Sequence, residues 1–348
     1  MSQLFNFQLE LVSEKAPVKL ESIVGQNVTV SLTQGDGSKR HFNGFVSAFT
    51  ETGQDSQFIH YQAEVVPWLW FLRHTSDSRI FQNRTIPEIL TQVFQDFGFR
   101  DFRSILRGAY ERHEVMVQYR ETEFDFITRL MEKEGIFYFF EHEQGRHTLV
   151  VADNPAAHPV LPVTPTVPYQ PGDGAGGDVV TRLTLKREWH PGKYAMNDYN
   201  FEIPATSLEV ALASTVEIGG NHRYELYEHP GDYRRKAQGD ALARIRMQEI
   251  ESISQVVNGT SSCRAMAPGY RFALTGHDRP ELNQDYVITQ VHHEAKLSDG
   301  AGTETYTNEF MTIPRSVPFR PLRLTPQPVV RGPESGLVVG PQKGGDLR

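Results

Sequence analysis

The sequence predicts a mainly β fold with helical insertions, an α+β arrangement in which strands dominate. Three observations carry this. Apolar and polar residues alternate repeatedly in both halves of the chain, in segments rich in aromatic and β-branched side chains. Helical apolar spacing is confined chiefly to about 85–97, 123–134 and 234–256. A stretch with six prolines and four glycines between Pro155 and Gly177 separates the two β-rich halves.

Taken in order, FNFQLELVS, NVTVSL and QDSQFIHYQAEVVPWLWFL each alternate as strands do, and Gly35-Asp36-Gly37 and Glu51-Thr52-Gly53 punctuate them as hairpin turns. Trp68 and Trp70 then sit at alternate positions of one strand. A helix follows, with a Thr85/Glu88 capping box around Pro87, a stripe of Ile86, Ile89, Leu90, Val93, Phe94 and Phe97, and Gly98 as its end. Thr122 and Asp125 make the same box for a second helix, whose stripe is Phe124, Ile127, Leu130 and Met131, and Gly135 stops it. Ile136–Phe140 is a dense aromatic strand, Glu141–Arg146 turns, and His147–Ala152 returns. Strands resume at Val179–Glu188. The longest helix follows, with Ala237, Ala241, Leu242, Ile245 and Ile250 roughly on one side. SSCRAMA, YRFALTG, DYVITQVHHEAKL and ETYTNEFMTI are strands again, and Pro314–Pro333 reads as a proline-rich tether out of the domain.

At 348 residues, more than one domain is expected. Hydrophobic content of 39% and charged content of 22% are those of a soluble globular protein. The net charge of −8 leans away from nucleic-acid binding, which needs a basic face. A single cysteine, Cys263, excludes an internal disulfide and a Cys-rich zinc site, and reads as a small buried side chain in a strand rather than a nucleophile. No cleavable signal and no membrane-length apolar run is present, so no stable membrane insertion is expected, and synthesis is cytoplasmic.

Every candidate for chemistry has a structural alternative. His142-Glu143 and His147 are spaced one residue too wide for the H-E-x-x-H pattern, with Gly145 and a hairpin between them, and read as a solvated turn. His292 and His293 are adjacent on a strand and point to opposite faces. Glu132 with Glu134, and Glu123 with Asp125, are two apart on a helix, do not face each other, and read as solvated. The run Gly172–Gly177 lacks a following capped helix and lysine, so it reads as linker. Trp68 and Trp70 could stack sugars or bases, but their apolar surroundings favour packing. No catalytic, metal or cofactor residue is therefore assigned.

Four stretches are similar in wording to VgrG, the trimeric spike of the bacterial type VI secretion system, and to the related phage tail hub proteins. These are PWLWFLRHTSDSRIFQNRTIPEIL (Pro67–Leu90), VQYRETEFDFITRLMEKEGIFYFFEHEQGRHTLVVAD (Val117–Asp153), YEHPGDY (Tyr227–Tyr233) and PGYRFALTGHDRPELNQDYVITQVHHEA (Pro268–Ala295). The resemblance covers nearly the whole chain. It implies two tube-type β-barrel domains as in phage baseplate hubs, at 1–78 (with an initial strand missing) and 179–313. Between them lie a helix and hairpin insert at 79–153 and a linker at 154–178; the tether and the start of a truncated OB-fold occupy 314–348. It also implies a non-enzymatic homotrimer that adapts the hexameric Hcp tube to a needle for contractile effector delivery. Baseplate components are further partners, a PAAR tip and effectors bind through regions beyond this hub portion, and export runs through the type VI apparatus without a signal peptide. The competing readings are a cell-wall-directed enzyme and a carbohydrate- or surface-binding β-module.

Overall fold

The computed structural model describes residues 1–14, 17–172, 177–297 and 304–333, and it is mainly β. The first sheet is antiparallel, built from β1 (Phe7–Ser13), β2 (Asn27–Thr33), β3 (Lys39–Gln54) and β4 (Ile59–Val66) in the order β1-β4-β3-β2. Its own buried cluster is only Val46, Ala63 and Val65, with partly buried neighbours. So small a core cannot hold a sheet by itself, and β3 leans on the hairpin described below.

The tryptophans do not continue β4. Trp68–His74 forms a 3₁₀ helix that buries Trp68, Leu69 and Leu72. A strand would turn every second residue of this apolar run outwards, whereas a tight helix sends three of them into one core. Next come β5 (Ser76–Arg84), α1 (Ile86–Asp96), β6 (Phe102–Ile105), β7 (His113–Thr122), α2 (Glu123–Lys133), β8 (Phe137–Glu143) and β9 (Arg146–Ala152). β5 and β7 form a two-stranded ribbon; β6, β9 and β8 form a sheet in that order.

Both helix starts follow the sequence. Thr85 accepts the Glu88 N–H while the Glu88 carboxylate accepts the Thr85 N–H at 2.8 Å. Thr122 Oγ1 accepts the Asp125 N–H at 3.0 Å, but among the described residues the Asp125 carboxylate returns no bond to the Thr122 N–H, so only half of the expected box forms. The stripes shift slightly: Phe97 lies beyond α1 and is 38% exposed, and in α2 it is Phe126, not Phe124, that is fully buried. The hairpin turn is shorter than expected, with Gln144-Gly145 alone between β8 and β9. Every residue from Ile136 to Phe140 is buried. Ile136, Tyr138 and Phe140 join the core of α1, α2 and Trp68, while Phe137 and Phe139 face a second cluster with Ala157. β8 therefore divides two cores, and this is why its aromatic run does not alternate.

In the second half, β10 (Thr166–Pro168), β11 (Val180–Arg187), β15 (Gln255–Ser261), β16 (Arg271–Thr275), β17 (Asp285–Leu297) and β18 (Glu304–Pro314) make a six-stranded sheet ordered β10-β16-β17-β18-β15-β11. Between β11 and β15 lie β12 (Lys193–Met196), β13 (Val210–Ala213), β14 (Glu225–Glu228) and α3 (Lys236–Ser254). The three short strands form a separate sheet that the sequence reading misses, since four residues are too few to display alternation. α3 covers it with Ala243 and Met247, not with Ala237 and Ala241, which are exposed; its buried face includes Gly239 and Arg246, which hydropathy does not report. Among the described residues no helix is long and apolar enough to cross a membrane.

The expected tether is docked over part of its length. Phe319 packs edge-on against Phe137 at 5.7 Å, and the segment through Thr325 lies across α2 and α3. The predicted OB-fold start falls largely on 334–348, outside the described residues, as do Asp173–Gly176 of the glycine run.

Candidate functional site

β8 and β9 bring His142 and His147 directly opposite each other, so the two do share a face. The nitrogens of His147 are already spent. Its Nε2 accepts the Trp68 N–H at 3.0 Å, so Nδ1 carries the proton and donates to Asn43 Oδ1 at 2.9 Å. Burial pushes its pKa down to about 4, and the imidazole stays neutral. Asn43, fully buried, completes the knot by donating through Nδ2 to Asn27, Val28 and Thr29 of β2. This is a polar bolt between the first sheet, the Trp68 turn and the hairpin, not the solvated turn that the sequence suggests. His292 is exposed and His293 half-buried, on opposite faces of β17 as expected. Among the described residues no group of three or more His, Cys, Asp or Glu is placed to hold a metal ion.

Two of the helix carboxylates, Glu123 and Glu132, are buried, not the solvated groups that the sequence suggests. Glu123 is 2% exposed, accepts from Thr75 Oγ1 at 3.0 Å and pairs with Arg79 at 3.3 Å. Glu132 is buried and accepts the N–H groups of Leu324 and Thr325 at 3.2 and 3.0 Å, plus the Thr325 hydroxyl at 3.0 Å. Burial pushes its pKa up against those hydrogen bonds. Burial raises the pKa of Glu134 too, and Asp125 is exposed on the first turn of α2, as expected. Cys263 is buried just after β15, its thiol pushed up to about 11 by burial, which suits packing and not nucleophilic attack. With Trp68 buried, the two tryptophans do not form an open stacking platform.

The densest polar constellation is one that sequence reasoning missed. Arg246 of α3 is buried and donates to the carbonyls of Glu132 and Lys133, both at 2.7 Å, at the C-terminal end of α2. It also pairs with Glu249. From residues 319–325, a strap laid across α2 and α3, Arg320 donates to the carbonyls of Gly135 and Asp153, at 2.8 and 2.7 Å, and to Gln248 at 2.9 Å. Arg323 forks onto Glu228 of β14 at 2.8 and 2.9 Å and reaches Tyr194 Oη at 3.0 Å. One network thus joins both helices, the hairpin, the small sheet and the segment leading onward. The usable signal was an arginine in the middle of a helical core face.

Parts of the surface are apolar or end in an open sheet edge. The outer face of the β5–β7 ribbon exposes Ile80 (66%), Val115 (51%) and Val117 (43%), with Ile80 directly opposite Val117. β1 and β11 are edge strands of their sheets, and Val12 on β1 is 60% exposed. Such edges and apolar stripes are what monomeric proteins blunt and oligomers cover.

A family model described as phage tail baseplate hub (GPD) matches residues 1–299. Two Pseudomonas aeruginosa proteins, type VI secretion system spike proteins VgrG1b and VgrG1a, are 38% and 39% identical over 97% and 98% of this chain. The match takes up 46% and 54% of their lengths, so the chain spans about half the length of the curated relatives it matches. The solved E. coli c3393 protein, described as a type VI secretion component similar to T4 tail proteins gp27 and gp5, aligns with a TM-score of 0.70 and 20% identity over 95% of this chain and 76% of its own. The 43 kDa tail protein of prophage MuSo2 from Shewanella oneidensis aligns with a TM-score of 0.63 and 16% identity over 90% and 91%. The fold, two half-barrel sheets with helical insertions, is that of these tail proteins.

Proposed function

The chain belongs to the phage tail baseplate hub family, and from that premise we propose that it works as the hub of a type VI secretion spike, without catalysis of its own. Three copies assemble about a threefold axis, each contributing its four-stranded and six-stranded sheets as tube domains, in the first and second halves of the chain. Six similar units then present a near-sixfold ring that can stack on the hexameric Hcp tube, while the other end continues towards a threefold needle that carries a tip and effectors. The observation that carries this reading is the pairing of two half-barrel sheets, each with open edges, in a chain similar over nearly all its length to type VI spike proteins. The polar network around Arg246 supports it, because it fixes the direction in which the chain leaves the hub. Electron microscopy of the chain mixed with Hcp rings tests the proposal. End-on stacking of the two is expected; rings that never associate with it refute the adaptor role.

A further inference from the structure

Between the segment Gln3–Phe7, β3, β8 and β17 lies a cavity of about 120 Å³. Arg40, His142 and His293 line it, and none of the described residues lining it is acidic. Arg40 stacks its guanidinium on Phe42 at 5.2 Å, its Nε is buried without a hydrogen-bond partner, and it forms no ion pair among the described residues. Arg40 is half-buried, and burying its Nε without a partner is costly, a cost that an anion bound to the guanidinium would offset.

Two imidazoles line the cavity beside Arg40. Phe42 is the common neighbour, with His142 at 6.2 Å and His293 at 5.1 Å between ring centroids. Tyr306 Oη accepts from Asn308 Nδ2 at 3.1 Å, so its own proton goes to His293 Nδ1 at 2.7 Å, which leaves the proton of that ring on Nε2. His142 Nδ1 lies 3.1 Å from both the N–H and the carbonyl oxygen of Asn43, so either nitrogen of this ring can carry the proton. Burial and the nearby Arg40 keep both rings neutral, His293 with a pKa of about 3. The cavity is thus lined by the Arg40 guanidinium and the two histidines, with Gln3, Thr289 and Gln290 also in its wall and apolar sides from Phe5, Phe7 and Phe139.

We infer that this cavity is a binding site for a small oxyanion of the phosphate class, held by the Arg40 fork and the Nε2–H of His293, with the His142 ring beside them. Guanidinium and phosphate match in charge and in bidentate geometry. A site that joins the first sheet, the hairpin and the second sheet would also brace the two β units against each other.

The probe is inorganic phosphate, compared with chloride at equal ionic strength by thermal denaturation and titration calorimetry of the full chain at pH 7.5. The wild type should gain about 2–4 °C in Tm near saturation. Arg40→Met should be as stable as the wild type or more so without phosphate, because it removes an unmatched charge, and should lose the phosphate response. His293→Phe should weaken binding by about tenfold, the size of one hydrogen bond to a charged ligand, whereas His292→Ala, on the opposite face of the same strand, should bind as the wild type does. No response of the wild type up to tens of millimolar phosphate, or an equal response in Arg40→Met, overturns the proposal. So does an Arg40→Met variant whose only change is altered self-association, which would assign the charge to a carboxylate of a second copy.

Discussion

Replacing Arg246 by methionine should unfold the junction of α2, α3 and the strap, and its size can be worked from the contacts. The guanidinium makes two hydrogen bonds to helix-terminal carbonyls at 2.7 Å and one ion pair with Glu249, and the two side chains are 2% and 12% exposed. Hydrogen bonds to a charged group contribute about 1.5–3 kcal/mol each. Breaking a buried ion pair by removing one partner costs about 3–5 kcal/mol. These overlap, because one guanidinium serves all three, so they do not add. Methionine fills the volume of the stem and leaves little cavity. The expected loss is therefore about 3–5 kcal/mol. Much of it comes from stranding Glu249, so Arg246→Met combined with Glu249→Gln should be about 1–2 kcal/mol less destabilised than Arg246→Met alone. The amide oxygen that Glu249→Gln introduces can still accept the Arg323 backbone N–H, which Glu249 holds at 2.9 Å. Urea unfolding followed by circular dichroism measures the energies; hydrogen exchange over 130–135 and 319–325 should show both segments losing protection together. A loss under about 1 kcal/mol, or unchanged exchange in the strap, would refute this reasoning.

Three further outcomes are expected. Thermal stability should fall as pH drops from 6.5 towards 4, because buried His147 and His158 have pKa values of about 4 while the unfolded chain protonates them near 6.5, so the unfolded state binds more protons in that window; His158→Phe, which keeps the stack on Phe137, should flatten a Tm-against-pH series. Gly135→Ala should cost about 2–4 kcal/mol in denaturant unfolding, since φ is +66° and a Cβ would lie 2.6 Å from the Ile245 side chain. Ile80→Lys with Val117→Glu, an opposite-charge pair across the ribbon, should leave monomer unfolding within about 0.5 kcal/mol of wild type while reducing assembly in a sedimentation assay, because both residues face outwards from the ribbon.

What could be read in the sequence was local. The caps at Thr85 and Thr122, the stops at Gly98 and Gly135 and the returning hairpin rest on interactions within a few residues, and the structure places each of them. What could not be read depends on partners far away in sequence. Glu132 looks like a surface carboxylate until Thr325, 193 residues later, lies down on it. His147 looks like part of a turn until Asn43 and Trp68 take its two nitrogens. Trp68 and Trp70 alternate like strand residues, but burial of the whole apolar run selects a 3₁₀ helix, and tertiary demand overrides local pattern. The β12–β14 sheet fails for a different reason: its strands are shorter than the period needed to recognise them.

The central claim is that this chain acts as one third of a ring, and sedimentation equilibrium from micromolar to several hundred micromolar protein tests it most directly. The expected result is a monomer–trimer equilibrium of the 39.5 kDa chain, with the trimer favoured as concentration rises and no stable dimer between them. A chain that stays monomeric over the whole range, or one whose closed assembly is a dimer, would contradict it.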